Sequence, residues 1–72
     1  MYRFLVVIEK AKRNYSAYVP DLPGCVATGK TMKAVERSIR EAIEFHVLGL
    51  QEDRSPIPHP QAHSAYMAVS VS

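Results

Sequence analysis

At 72 residues the chain has room for one small domain, and its single cysteine excludes an internal disulfide framework. Nine Lys plus Arg against seven Asp plus Glu leave a net charge of +2, too mild an excess to argue for nucleic acid. The apolar content of 47% is that of a globular domain, and the early apolar run Phe4 to Ile8 is far too short to cross a bilayer, so the chain reads as soluble and cytoplasmic. A domain this small buries only about 60% of the surface exposed by its unfolded chain, which points to self-association or a protein partner as the compensation.

Tyr2 to Glu9 is dense in aromatic and β-branched residues and predicts a first strand. Tyr2, Phe4, Val6 and Ile8 share one face, with Arg3, Leu5, Val7 and Glu9 on the other. Apolar residues on both faces predict a central strand covered on both sides. Lys10 to Asn14 is polar and reads as a hairpin loop leading to a second strand, Tyr15 to Val19. Pro20-Asp21-Leu22-Pro23-Gly24 breaks that strand, because two prolines remove backbone donors and Gly24 can turn left-handed. Cys25 to Gly29 is a short third strand.

Thr31 has the chemistry of a helix N-cap. Behind it Met32, Val35, Ile39, Ala42, Ile43, His46 and Leu50 form one apolar stripe, which predicts a helix ending near Leu50 or Gln51. Lys33 stands in its first turn, where a cation opposes the helix dipole. Gln51 to His63 is a loop punctuated by Pro56, Pro58 and Pro60, long enough to lie across the domain or meet a partner. Ala65, Met67, Val69 and Val71 alternate again and predict a fourth strand. The expected fold is therefore α+β, in the order β-β-β-α-β: an antiparallel meander, a crossover helix over one face, and a fourth strand parallel to its neighbour. Residues 1–72 form a single domain in this reading. The open sheet face is expected to be buried by a second copy or another protein.

Four constellations invite a chemical reading. Gly24 to Thr31 matches the phosphate-loop pattern G-x-x-x-x-G-K-[ST], but its Cys-Val-Ala-Thr spacer is strand-like and no later apolar strand ends in an Asp suited to magnesium; we read a turn, a short strand and an N-cap. His59, His63 and Cys25 lack the paired spacing of a zinc site, so neither metal nor cofactor is expected. Cys25 reads as a small buried hydrophobe rather than a nucleophile. Lys10, Lys12 and Arg13 read as a solvated loop rather than a phosphate contact.

The run Tyr15-Ser-Ala-Tyr-Val-Pro-Asp-Leu-Pro-Gly-Cys25 continues through Gly29, Thr31, Glu41-Ala-Ile, His46, Gly49-Leu50, Glu52-Asp53 and Pro56-Ile-Pro58. Together these residues resemble the N-terminal domain of HicB-type antitoxins, over nearly the whole chain. The resemblance implies a partial ribonuclease-H-like fold that self-associates and blocks a small RNA-cleaving toxin of the HicA type. Full-length members usually add a C-terminal DNA-binding segment; none is expected after Ser72, so DNA binding is not expected either. The chain departs from the family at Lys30, at Lys33-Ala34 and at Arg54, which stands where a glycine commonly follows the aspartate.

Magnesium-dependent phosphodiester cleavage needs converging carboxylates, whereas the first strand offers only Glu9 and the last none. The chain is therefore expected to be a non-enzymatic protein-binding module with no catalytic residues. Glu36, Glu41, Glu44, Glu52 and Asp53 are the candidate contacts for a basic toxin. The family motif residues Tyr15, Ala17, Pro20, Asp21, Leu22, Pro23, Gly24 and Cys25 are expected to be structural. The alternative is an orphan homo-oligomer, a dimer or larger, with a structural or regulatory role and no toxin.

Overall fold

A computed structural model describes residues 2–72. Three short strands, β1 (Val7–Lys10), β2 (Tyr15–Tyr18) and β3 (Val26–Gly29), precede one long helix, α1 (Met32–Glu52). The strands form an antiparallel meander in the order β1-β2-β3. Ile8 faces Ala17, which faces Ala27, and this row lies under the helix. The core is small: Ala17, Val19, Leu22, Cys25, Val35 and Ile39 are buried, and Phe4, Val6, Ile8, Tyr15, Ala42 and Ile43 pack around them. On the other sheet face Val26 is 64% exposed and Tyr18 43% exposed.

The proline segment is folded by local hydrogen bonds. Leu22 N donates to Val19 O at 3.1 Å, Cys25 N to Leu22 O at 3.1 Å, and Val19 N to Cys25 O at 3.2 Å. That turn drives Leu22 and Cys25 inward while Pro20, Pro23 and Gly24 stay outside. Gly24 has φ +83°, which favours glycine. Gly29 is required for a different reason. A Cβ there would lie 2.5 Å from Val35 N and 2.8 Å from Val35 Cα, so only glycine lets the end of β3 touch the helix backbone.

Thr31 caps α1 as expected, its Oγ1 accepting from Ala34 N at 3.0 Å. The other end closes with a Schellman-type pair of bonds, Arg54 N to Gln51 O at 3.1 Å and Ser55 N to Leu50 O at 2.8 Å. This places Arg54 at φ 57°, the left-handed position that glycine occupies at least cost. An arginine is conformationally unfavourable at this position.

Three sequence expectations are corrected. The expected first strand, Tyr2 to Glu9, is paired only from Val7 onward. Continuing the register would set Leu5 opposite Pro20, which has no N–H to give the ladder. The expected fourth strand does not form: Ala65 to Val71 carries no strand, and β1 is an edge rather than a central strand. The C-terminal stretch instead runs outward. Tyr66 is fully exposed, and Met67, Val69 and Val71 are 84%, 79% and 87% exposed. The molecule measures 53 × 27 × 19 Å with a radius of gyration of 14.4 Å, against about 11 Å for a close-packed chain of this length.

Candidate protein-docking surface

Helix α1 positions four of the five acidic candidates, and its geometry divides them. Steps of four, three and four residues put Glu41, Phe45, Leu48 and Glu52 on one stripe. Phe45 is 80% exposed and Leu48 51% exposed, an aromatic and an aliphatic side chain standing in water between two carboxylates. Glu36 and Glu44 belong to another stripe. With Arg40 between them they rim an open groove whose apolar wall is Phe4, Val6, Ile39 and Ile43. Asp53 is the C-cap residue of the helix and lines a shallow recess with Phe45, His46 and Gly49. All five acidic side chains are exposed.

The helix is charged against its own dipole. Its first turn holds no acid and its last turn no base; instead Lys33 opens it and Glu52 and Asp53 close it. Surface charges so placed cost about 0.3–1 kcal/mol each in helix stability. Lys33, Arg37 and Arg40 surround one depression together with Glu36, while the last turn and cap are acidic.

The sequence alone does not single out Phe45 and Leu48. The available signal was negative: both are large apolar residues that fall off the core stripe. Asp21 was also under-read. Its Oδ2 accepts from Gln61 N and Ala62 N, both at 3.1 Å, so the proline turn clamps a segment forty residues further on. Tyr15, Ala17, Leu22 and Cys25 of the same motif pack in or against the core.

The tempting chemistry is absorbed by structure. The Val26-Ala27-Thr28-Gly29 stretch of the phosphate-loop match is β3, paired with β2 and extended rather than wrapped around an anion. Its last glycine packs on the helix and Thr31 caps it. Cys25, His46 and Asp53 line one recess, but no hydrogen bond joins them among the described residues. Burial pushes the Cys25 thiol up from its ordinary value, opposite to the activation of a nucleophile. No group of three His, Cys, Asp or Glu side chains suited to a metal occurs among the described residues.

Residues 4–70 match the family described as HicB-like antitoxin of bacterial toxin-antitoxin systems. The chain belongs to that family. A UPF0150 protein of Helicobacter pylori is 47% identical over 47 residues, covering 65% of each chain. A UPF0150 protein of Thermoplasma acidophilum is 36% identical over 61 residues, covering 83% of this chain and 88% of that one. An uncharacterized 14.9 kDa protein from the rep-hol intergenic region of Haemophilus phage HP1 is 36% identical over 62 residues, covering 86% of this chain but only 47% of the phage protein. The chain thus spans less than two thirds of the phage and Helicobacter relatives. This HicB-like domain contains no helix among the described residues that is long and apolar enough to cross a membrane.

Proposed function

We propose that the chain is a non-enzymatic antitoxin module that binds and neutralises a small, basic, RNA-cleaving toxin of the HicA type in the cytoplasm. The observation that carries this reading is the Glu41–Phe45–Leu48–Glu52 stripe, exposed on a chain of the HicB-like antitoxin family. A hydrophobic anchor ringed by charge is the anatomy of a binding hot spot. Phe45 and Leu48 would be desolvated at the centre of the contact. Glu41, Glu44, Glu52 and Asp53 would steer a cationic partner and occupy the surface it uses for RNA. Glu36, beside Arg40, would stand at the margin. We place the whole of 1–72 in one domain of partial ribonuclease-H-like architecture.

The test is co-expression with a HicA-like toxin from the same genome, read as growth and as RNA cleavage by the purified pair. The expected result is rescue by the natural chain and its loss with Phe45→Ala plus Leu48→Ala. Charge reversal at Glu41 and Glu44 should slow association and flatten its salt dependence. Full rescue by both variants would remove this face from the interface. Failure of the natural chain to suppress any such toxin would favour the orphan homo-oligomer, a reading supported by the unpaired C-terminal stretch.

A further inference from the structure

The structure leaves two features of one chain unsatisfied. The stretch from Phe4 into β1 has the sequence of a central strand, with Phe4, Leu5, Val6, Val7 and Ile8 offering apolar side chains to both faces, yet β1 lies at the sheet edge. Beside it an open groove of about 610 Å³ runs between β1 and α1, walled by Phe4, Val6, Ile8, Ile39 and Ile43. The second feature is the stretch Ala65 to Val71. It alternates as a strand does, carries no Asp, Glu, Lys or Arg, and has every side chain exposed. An unpaired edge and an unpaired apolar strand are each a hazard in isolation.

We propose that they satisfy one another between two copies: residues 65–71 of one chain add to the β1 edge of a second, and Met67, Val69 and Val71 fill the groove against Ile39 and Ile43 there. Exchange is reciprocal, because each chain has both a donor segment and an acceptor groove, so a closed two-fold dimer results. Three observations favour a second copy. No residue of the segment lines its own chain's groove, and all of 65–71 are exposed although Asp21 holds Gln61 and Ala62 just before them. It has no charge with which to meet a basic partner. The groove is flanked by the Glu36–Arg40–Glu44 stripe, so exchange leaves the Glu41–Phe45–Leu48–Glu52 stripe uncovered and sets Glu44 beside the added segment. The proposal goes beyond the antitoxin reading and does not require it.

The experiment is sedimentation of the natural chain at micromolar concentration, of Met67→Asp plus Val69→Asp in the full chain, and of a chain ended after Ser64, without any toxin present. The expected result is a dimer for the first, a dimer dissociation constant raised about tenfold or more for the second, and a monomer for the third, all with the same helical circular dichroism. In a mixed sample of labelled and unlabelled natural chain, methyl contacts from Met67 and Val69 should reach Ile39 and Ile43 of the other copy. A monomeric natural chain, a dimer that survives both changes, or methyl contacts confined to one chain would each overturn the exchange. So would a segment that becomes protected only when a toxin is added.

Discussion

The two halves of helix α1 are made of similar residues and serve opposite ends. In the first half Val35 is fully buried and Ile39 3% exposed, and they close the core against the meander. In the second half Phe45 and Leu48, equally apolar, stand outside. Burial therefore follows angular position over β2 and β3, not hydrophobicity. The side of the helix turned away from the sheet is free to present side chains to something else. Its charges agree: a helix selected for its own stability would not end on Glu52 and Asp53.

The sharpest way to break the comparison lies where the first half meets the sheet. Gly29→Ala should cost on the order of 3 kcal/mol, because backbone cannot retreat as a flexible side chain can. A domain of this size holds only about 4–11 kcal/mol in all, so a large drop in the urea midpoint is expected. An unchanged midpoint would show that the close approach of β3 to α1 is not rigid.

Ile39→Ala against Leu48→Ala tests the division directly. The first should cost about 2–5 kcal/mol of folding stability. The second should stay within about 0.5 kcal/mol of the natural chain while weakening toxin binding by about 2 kcal/mol or more. Equal effects on stability would mean that both halves are core. Arg54→Gly then probes the end of the helix. Relieving the left-handed arginine should stabilise the domain by about 0.5–1 kcal/mol, read as a rise in melting temperature. Glu52→Lys is the smallest and most diagnostic change. It should add about 0.3–1 kcal/mol of stability at low salt while reducing affinity for a basic partner. If stability and affinity fell together, the acidic end of the helix would belong to the fold instead.

Much of the fold is legible in the sequence because its signals are local. The Thr31 cap, the 3.6-residue stripe through Val35 and Ile39, and the proline break after Val19 each depend on a few neighbouring residues, and each occurs where expected within two residues. The proposed docking face is half legible in the sequence. The acidic residues were visible as charges, but their separation into two stripes, and the presence of Phe45 and Leu48 between two of them, depend on which side of the helix the sheet covers.

By itself, the sequence determined three strands, a capped helix, the buried proline-turn residues Leu22 and Cys25, and membership of an antitoxin family across residues 4–70. Only the tertiary structure decided that β1 is an edge, that Asp21 clamps Gln61 and Ala62, and that the alternating residues 65–71 find no place on their own sheet. The physical reason is that alternation specifies a strand but not its neighbour. Pairing also requires a free row of donors and acceptors within reach, and a two-residue period is blind to whether that row lies in the same chain or in another.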